Sequence, residues 1–134
     1  MGTGSESIRS EVNNRRGLQR LLAATQCSCA GLVSAWRNEE AFRQEVVVGA
    51  VMIPAGFWVG TTSVERLLLV GTVMLVLIVE LLNSAVECTI DRIGTDHHPL
   101  SGRAKDISSA AVFLSLVMAV TTWGILLWDR LAAL

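Results

Sequence analysis

Four polar residues lie in or directly after an apolar stretch that runs from residue 67 to residue 90. They are Glu80, Asn83, Glu87 and Asp91, and separations of three, four and four residues place them on one stripe of a helix. A carboxylate at membrane depth costs about 2.5–3.5 kcal/mol, an expense that folding does not require. We therefore predict that this stripe binds a cation, transfers a proton, or does both.

The segment after the stripe is dense in charged side chains. It runs from Asp91 to Asp106 and reads DRIGTDHHPLSGRAKD, in which Gly94, Pro99 and Gly102 predict a break between helices. Basic residues beside carboxylates suit a nucleotide, because the cations bind phosphate oxygens and the carboxylates hold Mg²⁺. The sequence contains neither a Walker A motif nor the glycine-rich loop of protein kinases, so a nucleotide enzyme would be of another type.

The composition is that of a small integral membrane protein. Of 134 residues, 51% are hydrophobic and 17% are charged, and the mean hydropathy is +0.51. A chain of this length predicts one domain. The net charge of -1 does not favour a nucleic-acid partner.

Three apolar runs predict an all-α fold with membrane-spanning helices at about residues 41–60, 67–90 and 107–128. The first run is short, so its helix must begin within the charged segment 41–45 to reach the roughly 20 residues that a bilayer requires. An amphipathic helix at about residues 14–40 precedes the spans and lies either on an anionic membrane surface or on other protein. Residues 1–13 are expected to form a flexible tail, and residues 14–134 a single domain.

The basic residues predict the orientation in the membrane. Most of them precede the first span or lie in the 91–106 loop, and few lie at the opposite ends of the spans. The positive-inside rule places the N-terminus and this loop in the cytoplasm, and the C-terminus in the periplasm. The acidic stripe then lies at the cytoplasmic end of its helix.

Several of these residues also have plainer interpretations. Asn83 could join two helices by hydrogen bonds. Arg43 and Glu39, four residues apart, could form a surface ion pair, and Glu45 could be a solvated charge at the interface.

Metal pairs and other protein classes are less well supported. The adjacent His97 and His98 would not face one metal from a helix, and Cys27 and Cys29 lack a second pair of ligands. A proton or cation transporter would also use carboxylates within the membrane, but the polar residues cluster at one end of the spans. A structural membrane subunit would not require so many charged groups beside the stripe.

Three segments of the chain carry a resemblance to a known family. They are ELLNSAVECTID at residues 80–91 with RIGTDHH after it, SGRAKD at residues 101–106, and AWRNEEAFRQE at residues 35–45. They closely resemble the prokaryotic diacylglycerol kinase family, the small three-span lipid kinases of bacterial inner membranes. The resemblance extends from about Leu18 to Trp128.

This resemblance implies roles for individual residues. Glu80 matches the general base, and Glu39 and Glu87 match the ligands of Mg²⁺. The positions that match nucleotide-binding residues are Arg20, Cys27, Glu39, Glu87, Asp96, His97, His98, Lys105 and Asp106. The positions that match lipid-binding residues are Arg20, Ala41, Phe42, Arg43, Gln44, Glu45, Glu80 and Ser109. Asn83 and Asp91 match supporting positions.

The resemblance also implies an activity and an assembly. The family transfers a phosphoryl group from ATP to diacylglycerol and forms phosphatidic acid, as a homotrimer with shared sites and with Mg²⁺ as cofactor. The matches at Ser101-Gly-Arg and Ser109-Ala-Ala favour the Gram-negative branch over the branch that phosphorylates undecaprenol. The chain departs from the family pattern at three positions. An acidic residue is expected in place of Pro99, an aromatic residue is common in place of Cys27, and a glutamate is not expected at Glu40.

Overall fold

The computed structural model describes residues 17–134, and these residues form four α-helices. Helix α1 is Leu18–Asn38, α2 is Glu40–Val59, α3 is Ser63–Ile93 and α4 is Pro99–Ala132. The last three are long and apolar enough to cross a membrane. The predicted all-α fold with three candidate spans is confirmed. The predicted tail lies outside the described residues, and the single domain at residues 14–134 stays a prediction.

The described residues divide into two compact units, one that ends at residue 34 and one of residues 35–134. Apart from Gly17, the described part of the first unit belongs to α1, and its leucines Leu18, Leu21 and Leu22 are exposed. The second unit holds the last turn of α1 and the three long helices. In this unit α3 is central, since both α2 and α4 pack against it.

Local caps explain why α3 and α4 begin earlier than their apolar runs. The Thr62 hydroxyl accepts a hydrogen bond from the Glu65 amide, and the Glu65 carboxylate accepts one from the Thr62 amide, which is a capping box. Helix α4 begins at Pro99 after His98, whose Nδ1 accepts from the Leu100 amide at 3.1 Å. Pro at the first helical position loses no hydrogen bond.

The loop before α4 is shorter than the sequence suggests. Helix α3 ends at Ile93 and α4 begins at Pro99, so residues 94–98 connect them. The expectation that Gly102 breaks the helix is wrong, because Gly102 lies inside α4 and its amide donates to the His98 carbonyl. One glycine costs a long helix only about 1 kcal/mol relative to alanine. We call this side of the second unit the loop end, and the side with residues 60–62 the turn end.

The main core lies towards the turn end. Leu69, Val73 and Trp123 form it, and the Trp123 indole donates to the Leu69 carbonyl at 3.1 Å. Arg130 of α4 donates two hydrogen bonds to the Val59 carbonyl at the end of α2. These bonds join all three long helices at one end. The loop end can then differ in its polar side chains without loss of this core.

Gly56 permits the close approach of α2 to α3. A Cβ atom there would lie 3.2 Å from Leu69 Cβ and 3.2 Å from Val70 Cγ2. We expect Gly56→Ala to lower the free energy of unfolding by about 1 kcal/mol, because overpacking of about 1–3 kcal/mol exceeds the helix-propensity gain. The measurement is reversible unfolding by SDS in mixed micelles.

Gly71→Ala is the matched control for Gly56→Ala. A Cβ at Gly71, within α3, would meet no atom of the chain within 4 Å. This variant should be as stable as the unchanged protein or more stable, since alanine favours the helix by about 1 kcal/mol. Equal stability of the two variants would contradict the close packing at Gly56.

Candidate active site

Four carboxylates lie together near the loop end, and we call them the acidic cluster: Glu39, Glu45, Glu80 and Glu87. Glu80 is close enough to each of the other three for their charges to interact. The Glu80 side chain is buried, with 6% of its residue surface exposed, whereas the other three are half-buried. A buried carboxylate among like charges is unfavourable for folding alone, so the cluster is a candidate site for a cation and a proton.

The start of α2 positions two members of the acidic cluster. Glu39 is the N-cap of α2, with extended backbone, and its side chain makes no capping hydrogen bond. Its carboxylate is therefore not used to complete the helix. Glu45 follows within α2, on a turn that contains the buried Phe42.

Arg43 of α2 forms hydrogen bonds with the C-terminal end of α1. Its Nη1 donates to the carbonyls of Trp36 and Arg37, at 3.0 and 3.1 Å, in the last turn of α1. The terminal carbonyls of a helix lack partners within the helix, and a guanidinium satisfies them well. The alternative in which Arg43 forms an ion pair with Glu39 is not what the structure shows.

A line of polar contacts joins α3 to α4 at the loop end. Asn83 Nδ2 donates to Glu87 Oε1 at 3.3 Å, and Ser108 Oγ donates to Asn83 Oδ1 at 2.7 Å. Lys105 Nζ forms an ion pair with Asp91 Oδ1 at 2.8 Å. The Lys105 charge also interacts with Glu87. Asn83 and Asp91 of the predicted stripe therefore contact α4, which supplies a hydroxyl to the first and a cation to the second.

Two buried polar atoms near Glu80 have no hydrogen-bond partner within residues 17–134. They are Glu45 Oε2 and Ser84 Oγ. Ser84 lies one turn after Glu80 on α3, so both side chains project from the same face. An unpaired buried polar atom costs about 1–3 kcal/mol, so these atoms are candidates to contact a bound polar group.

Glu45 also lines one end of an apolar cavity of about 490 Å³. Residues of α2, α3 and α4 line it, from Gln44 and Glu45 near the loop end to Met52 and Trp123 deeper in the unit. Gln44 and Glu45 are its polar lining residues, and most of the others are aliphatic. The cavity would accept a molecule with one polar end and apolar chains.

The remaining predicted site residues lie at several places. Asp96, His97 and His98 are exposed in the 94–98 loop, where His98 also caps α4, and Asp106 and Ser109 are exposed on α4. Ala41 and Gln44 are exposed on α2. Arg20 and Cys27 are exposed in the first unit. The roles of these residues stay predictions.

Two polar residues of this region were not among the site residues predicted from the sequence. Ser108 contacts Asn83, and Ser84 lies buried beside Glu80. The spacing contains a signal for both, because Ser108 is three residues after Lys105 and Ser84 is four after Glu80. Serine is common in membrane helices, so its type alone does not mark a site.

Comparison with known proteins decides the family. The model of the family described as prokaryotic diacylglycerol kinase matches residues 26–127. The chain belongs to this family. Curated diacylglycerol kinases are similar over almost their whole length. The protein of Escherichia coli (strain K12) is 50% identical over 119 residues, which are 89% of this chain and 98% of the relative.

Two further relatives from other bacteria agree with the family assignment. The diacylglycerol kinase of Haemophilus influenzae is 49% identical over 81% of this chain and 92% of its own length. That of Pseudomonas aeruginosa is 46% identical over 88% of this chain and 96% of its own length. The family match covers all four members of the acidic cluster, Asn83, and Arg103 and Lys105 of α4. The resemblance seen in the sequence motifs is confirmed.

Proposed function

We propose that this chain is a membrane-embedded kinase that transfers the γ-phosphoryl group of ATP to the hydroxyl of diacylglycerol and forms phosphatidic acid. The observation that carries the proposal is the buried Glu80, which lies among three other carboxylates, one of which, Glu45, lines an apolar cavity. Relatives at about half identity are named for this activity. The acidic cluster offers both a base and cation ligands for such a transfer.

Glu80 is proposed as the general base. It would take the proton of the lipid hydroxyl while that oxygen forms a bond to the γ-phosphorus and the bond to ADP breaks. Its burial shields the reacting oxygen from water, which could otherwise accept the phosphoryl group. The orphaned oxygen of Glu45 and the hydroxyl of Ser84 are available to hold the lipid head group beside Glu80.

Glu39 and Glu87 fit a site for Mg²⁺. Within residues 17–134 no three His, Cys, Asp or Glu side chains converge enough to enclose a metal ion. Mg²⁺ commonly takes one or two carboxylates and completes its shell with phosphate oxygens and water, so two carboxylates are enough. The Glu39 carboxylate makes no capping bond, and Glu87 uses one oxygen for Asn83. When bound with ATP, Mg²⁺ neutralises charge on the β- and γ-phosphates.

The nucleotide site is proposed to be shared between chains of a homotrimer. Lys105 lies beside Glu87, where its ammonium can bind a phosphate oxygen. Asp96, His97 and Asp106 are exposed, so a neighbouring chain could complete a site with them. In the three spans most side chains are also exposed within one chain, which leaves apolar surface for lipid or for other subunits. For Arg20 and Cys27, nucleotide binding stays a prediction from the family resemblance.

The apolar cavity is proposed to hold the acyl chains of the lipid. Its polar lining residues, Gln44 and Glu45, lie nearest the loop end, and Glu45 interacts with Glu80. A diacylglycerol has one hydroxyl at the end of two apolar chains, which matches this distribution. Phe42, Arg43 and Ser109 are proposed to border the head group.

The proposed location is the bacterial inner membrane, with the loop end in the cytoplasm. The basic residues before the spans and in the 91–106 segment support this orientation. ATP is then on the same side as Lys105 and the acidic cluster. In this orientation the C-terminus is periplasmic, and the exposed leucines of α1 would contact the membrane surface.

A transport function has less support. Among the described residues, the buried polar side chains beyond Glu80 towards the turn end are Thr72 and Ser115, and both donate to carbonyls of their own helix. The core beyond them is apolar. A path for protons or cations would need polar groups along the whole span. Phosphorylation of undecaprenol would use the same site and differs only in the lipid.

The test is ATP consumption by the purified protein in mixed micelles with Mg²⁺. Three conditions are compared: diacylglycerol, undecaprenol and no added lipid. We expect turnover that requires diacylglycerol and is much slower with undecaprenol. Preference for undecaprenol would retain the chemistry but reject the proposed acceptor. Absence of lipid-dependent turnover in folded protein would reject the kinase.

A further inference from the structure

Ser108 makes a contact that connects α4 to the acidic cluster. Its hydroxyl lies 2.7 Å from Asn83 Oδ1 and 3.0 Å from the Lys105 carbonyl. A hydroxyl has one proton to donate, and the shorter distance is the usual one for an O–H···O bond. The proton therefore goes to Asn83, across the interface between α3 and α4.

The chemistry of the partners fixes the orientation of the Asn83 amide. An ionised carboxylate only accepts hydrogen bonds, so Glu87 requires the N–H side of the amide. The amide oxygen must then face α4, where it needs a donor, and Ser108 supplies it. In the flipped orientation the amide oxygen would lie against the Glu87 carboxylate and repel it.

We propose that Ser108 is a positioning residue for Glu87, and that it acts through the Asn83 amide. The bond from Ser108 holds the amide, and the amide holds one oxygen of Glu87, which leaves the second oxygen to a divalent cation. The inference rests on the proposed function, in which Glu87 binds the Mg²⁺ that accompanies ATP. In this proposal Ser108 itself touches neither nucleotide nor lipid.

The expected effect is on the cation requirement. Partners that orient a metal ligand from outside its shell change metal affinity by roughly 10- to 100-fold, and Ser108 acts one bond further away. We expect Ser108→Ala to raise the Mg²⁺ concentration for half-maximal activity about tenfold, the low end of that range. The value of kcat at saturating Mg²⁺ should be unchanged, because Glu80 is not altered.

Matched variants separate positioning from general damage. Ser108→Thr keeps the hydroxyl and should restore the Mg²⁺ requirement. Ser115→Ala is the control on the same helix, because the Ser115 hydroxyl donates only to the Val112 carbonyl of α4. In a double-mutant cycle, Asn83→Ala should raise the requirement more than Ser108→Ala, and the double variant should equal Asn83→Ala.

A binding measurement gives a readout that does not depend on activity. Mn²⁺ affinity is measured by electron paramagnetic resonance on the full chain in micelles, with the β,γ-imido analogue of ATP present. Weaker Mn²⁺ binding in Ser108→Ala, with Ser108→Thr and Ser115→Ala unchanged, is the expected result. Unchanged affinity in Ser108→Ala, or an effect that adds fully to that of Asn83→Ala, would overturn the proposal. If the unaltered protein bound Mn²⁺ in this pattern but phosphorylated no lipid, the proposed function would fail while the positioning role stood.

Discussion

Replacement of Glu80 by glutamine should lower kcat for lipid phosphorylation by about 10²- to 10⁴-fold, the usual contribution of a general base. Glutamine has nearly the same shape but cannot take the proton of the lipid hydroxyl. Its removal of one negative charge also lessens the repulsion within the acidic cluster. Affinity for Mg²⁺ and ATP should therefore be maintained. The measurements are steady-state turnover and nucleotide binding on the same preparation.

Glu40→Gln is the control for Glu80→Gln. Glu40 is an exposed carboxylate in the first turn of α2, close in sequence to the site and outside the acidic cluster. Its variant should keep ordinary turnover. Near-normal kcat in Glu80→Gln would contradict the assignment of the base. Joint loss of turnover and of nucleotide binding would instead indicate that Glu80 holds the site together.

The second large effect is expected at Glu87. Glu87→Gln should raise the Mg²⁺ concentration for half-maximal activity by more than about tenfold. Loss of a partner outside the metal shell weakens metal binding by roughly 10- to 100-fold, and loss of a direct ligand should cost at least the lower value of this range. A neutral amide is a much weaker ligand for a hard cation than a carboxylate. High Mg²⁺ should recover part of the activity, in contrast to Glu80→Gln.

The comparison of the Glu80 and Glu87 variants tests the division of roles. A Mg²⁺ titration at saturating ATP should shift for Glu87→Gln and not for Glu80→Gln. The Glu40→Gln control should follow the unaltered protein in the same titration. An unshifted Mg²⁺ curve for Glu87→Gln would show that this carboxylate is not a metal ligand. Metal binding would then have to be assigned to other carboxylates of the cluster.

The sequence predicted the stripe on α3 well because helix periodicity is a local property. Asn83 and Glu87 are four residues apart and do form a hydrogen bond within the helix. The contacts between helices were not accessible in this way. These contacts depend on how α4 is rotated against α3, and they join Ser108 to Asn83 and Lys105 to Asp91. They also depend on the connecting loop, which is shorter than the glycines suggested.

Competition between two partners for the Arg43 guanidinium explains another difference between the sequence-based expectation and the structure. The four-residue spacing of Glu39 and Arg43 allowed an ion pair, but the unsatisfied carbonyls at the end of α1 take the guanidinium instead. Similarly, the N-caps Thr62 and His98, the second followed by Pro99, make α3 and α4 begin before their apolar runs. Hydropathy marks the part of a helix that faces lipid, and capping residues mark where the helix begins. The roles of Glu39, Arg20 and Cys27 came from the family resemblance alone.

The most direct test of the central claim is transfer of labelled phosphate from γ-labelled ATP to diacylglycerol in lipid vesicles. The unaltered protein and Glu80→Gln are compared at equal amounts of folded protein and at saturating Mg²⁺. We expect labelled phosphatidic acid from the unaltered protein and almost none from Glu80→Gln, with both proteins binding the β,γ-imido analogue of ATP equally. Equal labelling by the two proteins, or no labelled lipid from the unaltered protein, would contradict a kinase in which the buried Glu80 is the base.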